Sequence, residues 1–284
     1  MIKDYLKLIR VKQWTKNFFC FSGIIFGEQL ISSSLFLVSL STFICFCLIS
    51  SSVYILNDLF DKDADANHPK KKKRPIASGA IQIFPALLIA ITFLLLSIKI
   101  SLTINLIVFT LTLIYLINNI FYNLIFKKYP IIDVLSISFG FIFRLLSGIY
   151  AVNLVPTPWI ILCTLFLALF LGFSKRRAEL KSFDNDFSQR PVLKYYNIDF
   201  LDSLINESAL SAIIFYSLFC IISKNNLVLI ATIPIVYFAM MYYKFLLFQN
   251  IHGEEPESII LKNKKIIISI ILWLVSYLIL NYYF

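Results

Sequence analysis

Nine long apolar segments, separated by short polar stretches, account for most of the chain. They lie at about residues 17–31, 33–57, 81–100, 102–122, 131–152, 157–173, 204–223, 226–247 and 265–283. Roughly 17–25 mostly apolar residues cross the hydrocarbon layer of a membrane as an α-helix. Backbone N–H and C=O groups find no water in lipid, so each segment is expected to form its hydrogen bonds internally, as a helix. The pattern therefore predicts an all-α polytopic membrane protein with nine spans.

The composition excludes a soluble globular protein. Hydrophobic residues make up 59% of the 284 residues, charged residues only 15%, and the mean hydropathy is +0.82. No flexible linker divides the sequence, so residues 1–284 are expected to form a single domain. Residues 1–16 are rich in lysine, which is typical of a basic arm on the membrane surface rather than of a cleavable signal peptide.

Lysine and arginine are concentrated in four of the predicted loops. These are residues 58–80, 123–130, 174–203 and 248–264. Short cytoplasmic loops retain positive charge, so these loops and the N-terminus are expected inside the cell and the C-terminus outside. Anionic lipid headgroups account for most of the net charge of +10, and no nucleic-acid partner is expected. Most acidic residues lie on the same side, which predicts a polar site facing the cytoplasm rather than a pore.

The strongest candidate for chemistry is an acidic cluster where the second apolar segment ends. Four oxygen-bearing side chains there fall within one arc of a helix that turns about 100° per residue. They are Asn57, Asp58, Asp61 and Asp65. Carboxylates beside hydrocarbon are unfavourable without a cation, and hard oxygen ligands suit Mg²⁺ bound jointly with a phosphorylated substrate. The cluster predicts a Mg²⁺ site with three catalytic aspartates, and a solvated loop is the simpler alternative.

A basic run follows the acidic cluster directly. Lys71 and Arg74 lie three residues apart and could reach the same anion, and an arginine offers two parallel contacts to phosphate. Contact with lipid headgroups is the alternative for the run as a whole. The run therefore predicts a phosphate site beside the metal site.

Polar residues just before the first apolar segment form another candidate group. Gln13, Lys16 and Asn17 fall on one side of a helix. For Lys16 and Asn17, contact with a substrate and placement at the membrane interface are equally consistent with the sequence.

Arg144 lies deep within the fifth apolar segment, eleven residues after Asp133. Placing an arginine there costs about 2.5–3.5 kcal/mol on insertion scales, so it must be paired or face a polar cavity. We expect it to bind a phosphate, and the alternative is an ion pair with Asp133 or with the acidic cluster.

The sixth segment ends in three cations and an acid, namely Lys175, Arg176, Arg177 and Glu179. A stop-transfer signal explains these charges as well as a second polar cluster does. Asp199 and Asp202 at the start of the seventh segment give a weak signal, because acids are common at helix N-termini. The acidic patch at residues 252–257 is expected to be solvated.

The spacing Asn57-Asp58-x-x-Asp61-x-x-x-Asp65 resembles the aspartate motif of the UbiA superfamily of intramembrane prenyltransferases. Three further stretches resemble the decaprenyl-phosphate phosphoribosyltransferases of that superfamily. They are Arg10-x-Lys12-Gln13-Trp14-x-Lys16-Asn17, Asp65-x-x-His68-Pro69-x-Lys71-x-x-Arg74-Pro75, and Lys175-Arg176-Arg177-Ala178-Glu179-Leu180. The resemblance runs from residue 10 to about residue 275. It implies a bundle of nine helices in a prokaryotic cell membrane, with a lateral opening to lipid.

The resemblance also implies a reaction, in which a 5-phosphoribosyl group moves from phosphoribosyl pyrophosphate to a polyprenyl phosphate and pyrophosphate is released. The product would serve synthesis of pentose donors for the cell envelope. The residues of the acidic cluster would hold Mg²⁺ on the donor. The implied substrate contacts are Gln13, Lys16, Asn17, His68, Lys71, Arg74, Arg144, Lys175, Arg176, Arg177 and Glu179. Most superfamily members carry a second aspartate-rich motif where this chain has cations, which favours a second phosphate-bearing substrate over a second metal.

Two alternatives stay open at this point. A UbiA-type prenyltransferase that acts on an aromatic acceptor would share the metal site but use a prenyl diphosphate as its donor. A transporter or scaffold fits less well, because a transporter needs polar access from both sides. The sequence leaves the length of the polyprenyl chain and the oligomeric state open.

Overall fold

The computed structural model describes residues 2–27, 32–67, 71–182, 191–223, 226–249, 259 and 262–283. The α-helices of this part of the chain are α1 (Ile2–Leu8), α2 (Ser22–Phe26), α3 (Ser33–Phe60), α4 (Lys62–Ala66), α5 (Ile83–Ile104), α6 (Leu106–Leu124), α7 (Ile132–Ala151), α8 (Pro158–Ser182), α9 (Ile198–Leu218), α10 (Ile233–Phe248) and α11 (Lys264–Tyr283). Shorter 3-10 helices lie at Val11–Phe21, Lys71–Lys73, Phe126–Lys128, Pro191–Tyr195 and Leu227–Thr232, and a π-helical turn at Phe219–Ser223 extends α9.

Within the described ranges, eight helical segments are long and apolar enough to cross a membrane. They are α3, α5 to α9, α11, and α10 together with the 3-10 helix Leu227–Thr232 that precedes it. Each overlaps one of the predicted segments, so the all-α membrane architecture is confirmed. The segment predicted at 17–31 is built differently, since the 3-10 helix Val11–Phe21 leads into the five-residue helix α2. Close packing leaves no room for a side chain at Gly23 in this segment, because a Cβ atom there would come within 2.2 Å of the carbonyl oxygen of Gly148.

The chain forms two compact units. The first consists of Met1–Ile125 and Phe143–Val155, and the second of Phe126–Ile142 and Pro156–Phe284. Helix α7 therefore contributes its first part to the second unit and its last part to the first. The single domain expected from composition stays a prediction.

In the first unit, α3 is the central helix, and α5, α6 and the 3-10 helix Val11–Phe21 pack against it. Buried serines on α3 permit close approach; the hydroxyl of Ser52, for example, donates to the carbonyl oxygen of Ala90 on α5 at 2.8 Å. Small hydrogen-bonding residues of this kind are common where helices meet inside membranes. The basic arm is anchored to the same helix, because Leu8 is fully buried against Ile55.

In the second unit, α8 and α9 form the most extensively packed helix pair. Their buried side chains, among them Phe170 and Leu201, form one apolar core with Tyr243 of α10 and Ile266 of α11. This core supports the charged end of α8, where the second group of candidate residues lies.

Large apolar side chains cover the outward faces of several spans. On α5 and α6, Phe84, Leu95 and Leu106 are 74%, 61% and 72% exposed. Contact with water would be unfavourable for these surfaces, whereas contact with lipid chains is not. Together with the eight long apolar helices, they identify an integral membrane protein.

Candidate functional site

The acidic cluster lies where α3 ends and α4 begins. The backbone continues almost helically through it, since Asp61 N–H donates to Asn57 C=O at 2.9 Å and Asp65 N–H donates to Asp61 C=O at 2.8 Å. Asn57, Asp61 and Asp65 are therefore one turn apart, with Asp58 beside them. Asp63, which is not one of these four residues, is exposed.

Two of these carboxylates are buried and share one arginine. The side chains of Asp58 and Asp65 are each 3% exposed. Nη1 of Arg74 lies 3.0 Å from Oδ1 of Asp58 and 2.5 Å from Oδ2 of Asp65, and Nζ of Lys71 lies 4.0 Å from Oδ1 of Asp65. The structure thus brings the basic run and the acidic cluster together, as sequence proximity suggested.

Arg10 is a second arginine at this site, and the sequence pattern did not single it out as a ligand. Its Nη2 atom donates to Oδ1 of Asp58 at 2.5 Å, and its guanidinium group stacks over the ring of Tyr54, 4.7 Å from the centroid. The only sequence signal was its place in the stretch that ends at Asn17, because no local pattern links residues 48 positions apart.

The oxygen ligands fit Mg²⁺ in their chemistry. Two buried carboxylates that both engage cationic groups mark a position that favours positive charge, and oxygen is the ligand atom that Mg²⁺ prefers. Across the described ranges, no three His, Cys, Asp or Glu side chains form a ready-made metal site. Phosphate oxygens of a substrate would have to complete the coordination shell, which is usual for Mg²⁺.

Asn17 and Arg144 lie together inside the first unit. Nε of Arg144 donates to Oδ1 of Asn17 at 2.6 Å, and its Nη2 donates to the hydroxyl of Tyr115 at 2.9 Å. Asn17 is fully buried and its amide also donates to Sγ of Cys47 at 3.2 Å. Gln13 and Lys16 are half-buried nearby in sequence. Tyr115 was missed from the sequence, because an aromatic residue in an apolar helix gives no signal.

The charged end of α8 forms a second cluster, in which Arg176 is the central residue. Arg176 is 1% exposed, and it donates through Nε to Asp133 at 2.6 Å and through Nη1 to Glu179 at 2.5 Å. The hydroxyl of Tyr196 donates to Asp133 at 3.1 Å and accepts from the backbone N–H of Ile131 at 2.5 Å. Burial, followed by the adjacent Asp133 carboxylate, raises the pKa of Tyr196, so the phenol stays protonated and can donate.

Arg177 is held by other partners. Its guanidinium group pairs with Asp202 of α9 and stacks on Phe248 at the end of α10, 4.1 Å from the ring centroid. Asp202, which gave only a weak sequence signal, is therefore an ion-pair partner rather than an isolated acid at a helix N-terminus. Lys175, the first cation of the group, is half-buried.

Acids from three helices thus meet the cations of α8. Asp133 comes from α7, Glu179 from α8 itself and Asp202 from α9. Both Arg176 and Arg177 have carboxylate partners in this structure, and their expected contact with a phosphate stays a prediction. His68 and the acidic patch at 252–257 lie outside the described residues.

The UbiA prenyltransferase family matches residues 17–262 of this chain. Decaprenyl-phosphate phosphoribosyltransferase of Mycolicibacterium smegmatis is 28% identical over 96% of this chain and 91% of its own length. The protein of the same name from Corynebacterium glutamicum is 28% identical over 75% of this chain and 66% of its own.

The fold is also similar to that of solved structures. A UbiA homolog from Archaeoglobus fulgidus, solved with GPP and Mg²⁺ bound, gives a TM-score of 0.74 at 19% identity, over 98% of this chain and 99% of that one. At that identity the similarity concerns the fold.

Proposed function

Because this chain belongs to the UbiA prenyltransferase family, we propose that it is a membrane transferase that moves a 5-phosphoribosyl group from phosphoribosyl pyrophosphate to a polyprenyl phosphate. The observation that carries this proposal is the similarity to decaprenyl-phosphate phosphoribosyltransferases, which extends over 96% of the chain in the Mycolicibacterium case. The excess of arginine and lysine around the buried aspartates supports it, because both proposed substrates bear phosphates.

The acidic cluster is the proposed site of the donor's pyrophosphate. Asn57, Asp58, Asp61 and Asp65 would hold Mg²⁺ there. When bound, the ion would neutralise the pyrophosphate and make it a better leaving group. Lys16, Lys71 and Arg74 would bind the donor's phosphate oxygens, and His68 and Gln13 are further proposed contacts.

Arg144 is proposed to contact the acceptor or the ribose 5-phosphate, and Lys175 is a separate proposed contact with phosphate. Arg144 offers a planar guanidinium group that Asn17 and Tyr115 hold in place. Since Asn17 is fully buried, we assign it to holding Arg144 rather than to touching substrate directly. Arg176, Arg177 and Glu179 are assigned to holding the end of α8 in position.

Positioning and charge stabilisation would carry the reaction. An oxygen of the acceptor phosphate attacks the anomeric carbon of the ribose, the bond from that carbon to the pyrophosphate oxygen breaks, and pyrophosphate leaves with the electron pair. A phosphate monoester is already largely ionised near neutral pH, so no general base is required. The arginines and lysines would offset the charge on the departing pyrophosphate.

The proposed orientation places the N-terminus and the acidic cluster on the cytoplasmic side, where a charged donor is available. It rests on the distribution of lysine and arginine among the loops. Supply of a pentose donor for the cell envelope is the proposed role.

The test is transfer of radiolabel from phosphoribosyl pyrophosphate into lipid, with purified protein in detergent, Mg²⁺ and polyprenyl phosphates of several lengths. We expect label in the lipid phase that disappears on addition of EDTA. If folded protein gives no lipid label at any chain length, the family alternative takes over. Label from a prenyl diphosphate would then appear on an aromatic acceptor.

A further inference from the structure

Arg10 adopts an unfavourable backbone conformation beside the acidic cluster. Its φ and ψ angles are 52° and 50°, in the left-handed region that residues with a Cβ atom rarely adopt. Such conformations persist where surrounding contacts fix them, and they are concentrated at functional sites. Here the contacts come from Ser51, whose hydroxyl donates to the carbonyl oxygen of Ile9 at 2.7 Å and accepts from Nε1 of Trp14 at 3.0 Å.

The turn around Arg10 packs against one face of α3. Ser51, Tyr54 and Asp58 are spaced by three and four residues, so they form a single stripe along the helix. Ser51 binds the backbone beside Arg10, Tyr54 stacks under the guanidinium group, and Asp58 accepts its hydrogen bond. The fold thus directs this one side chain at the first aspartate of the cluster.

Two arginines therefore engage the same carboxylate oxygen. Oδ1 of Asp58 accepts from Nη2 of Arg10 at 2.5 Å and from Nη1 of Arg74 at 3.0 Å, and Arg74 also bridges to Asp65. These are oxygens that the proposed function assigns to Mg²⁺. A metal ion and the two guanidinium groups cannot all occupy that position, because they compete for the same lone pairs and repel one another.

We infer that Arg10 and Arg74 exchange partners when the donor binds. Their guanidinium groups move from the carboxylates to the donor's diphosphate oxygens, and the carboxylates bind the metal ion instead. This inference rests on the proposed function, since it takes the acidic cluster as the metal site. Each ion then gains a partner of opposite charge and no buried carboxylate is left uncompensated.

The exchange makes the metal and the diphosphate bind with positive coupling. Metal alone must displace two guanidinium groups from their carboxylate partners without offering them another anion, whereas the metal–diphosphate complex supplies a new partner of opposite charge. The site therefore selects the metal-bound diphosphate over the free divalent cation, and Arg10 is a specificity-determining residue.

Binding measurements on the full chain test this without turnover. The protein is purified in an uncharged detergent, and free Mn²⁺ is measured by electron paramagnetic resonance as a probe of metal binding alone. Binding of magnesium pyrophosphate is measured separately by calorimetry. The variants are Arg10→Gln and Arg74→Gln, with Lys73→Gln as the matched control, because Lys73 is an exposed cation of the same basic run.

We expect opposite effects on the two ligands. Each arginine variant should bind Mn²⁺ about tenfold more tightly than the wild type and magnesium pyrophosphate about tenfold more weakly. Lys73→Gln should change either affinity by less than about twofold, since surface charges are screened. If Arg74→Gln does not fold, Arg10→Gln carries the same test.

The inference is overturned if both arginine variants leave Mn²⁺ affinity unchanged or lower, or if Lys73→Gln tightens Mn²⁺ binding as much as they do. Asp58→Asn separates this failure from failure of the metal site. If that variant loses Mn²⁺ binding while the arginine variants behave as wild type, only the exchange is wrong. If the Asp58→Asn variant binds both ligands as tightly as the wild type does, the metal site and the exchange are both wrong.

Discussion

Individual side chains of the acidic cluster show how this membrane protein stabilises buried negative charge. Asp58 and Asp65 are buried carboxylates, and their desolvation is offset by guanidinium groups that lie within hydrogen-bonding distance. A buried ion pair of this kind is favourable only while both partners are present. The same property makes the site sensitive to single substitutions.

Replacing Asp58 with Asn should abolish Mg²⁺-dependent turnover, with a loss of at least about 100-fold. The amide keeps the shape of the side chain and one acceptor oxygen for Arg10 and Arg74, but it removes the charge that a metal ion needs. Turnover is measured with the lipid-label assay, and folding by thermal melting in detergent. Asp63→Asn is the matched control, because Asp63 is an exposed acid in the same segment. Normal turnover in Asp58→Asn would contradict the metal site.

Arg144→Ala should weaken substrate binding, seen as a KM at least about tenfold higher for the donor or the acceptor. The guanidinium group is positioned by Asn17 and Tyr115, so its loss removes a preorganised contact to phosphate. Tyr115→Phe is the companion variant: it deletes one hydroxyl and should cost about 1 kcal/mol of stability with a smaller change in KM. Unchanged kinetic constants for both substrates in Arg144→Ala would assign the arginine to the fold.

At the level of elements, ion pairs at the charged end of α8 connect this helix to α7 and α9. Its last turns carry Arg176 and Arg177, which reach α7 through Asp133 and α9 through Asp202. These ion pairs lie next to the apolar core in which α8 and α9 pack together. Ion pairs are directional where apolar packing is not, so they define how the ends of the three helices align.

Arg176→Gln should destabilise the protein by about 3–5 kcal/mol, because it leaves Asp133 and Glu179 buried without their charged partner. Lys175→Gln, at the neighbouring and half-buried position, should lower transfer activity with little change in melting temperature. Thermal melting and the transfer assay on both variants distinguish the roles. A stable Arg176→Gln protein with a raised KM would instead support the phosphate contact expected from the sequence.

On the scale of the whole molecule, the distribution of charged residues among the loops predicts which loops lie on the cytoplasmic side of the membrane. The basic run at 71–74 and the cations of α8 lie in the loops expected inside the cell, whereas the turn between α7 and α8 carries no charged residue. Lysine and arginine are retained on the cytoplasmic side during insertion, so the two kinds of loop should be on opposite faces.

Cysteine labelling tests this orientation. In right-side-out spheroplasts, Val155→Cys in the exposed turn before α8 should react with a membrane-impermeant maleimide. Lys73→Cys should react only after permeabilisation. The wild-type chain is the background control, because four of its five cysteines are buried and Cys163 lies within α8. The reverse pattern of labelling would invert the proposed topology.

Local chemistry determined much of this protein from its sequence alone. Long apolar runs predicted eight of the spans, because backbone groups in lipid have no alternative to helical hydrogen bonding. The aspartate spacing placed Asn57, Asp61 and Asp65 on one side of a nearly continuous helix, since that arc depends only on the helical repeat. The motifs along the chain likewise indicated the family.

Tertiary structure decided which charges meet. Arg10 and Asp58 are 48 positions apart, and Arg144 and Asn17 are 127 apart, so no local repeat connects them. Asp202 looked like an ordinary acid at a helix N-terminus until packing brought it to Arg177. A sequence sets each side chain's charge and its place on its own helix, but the partner of a buried charge depends on how the helices pack.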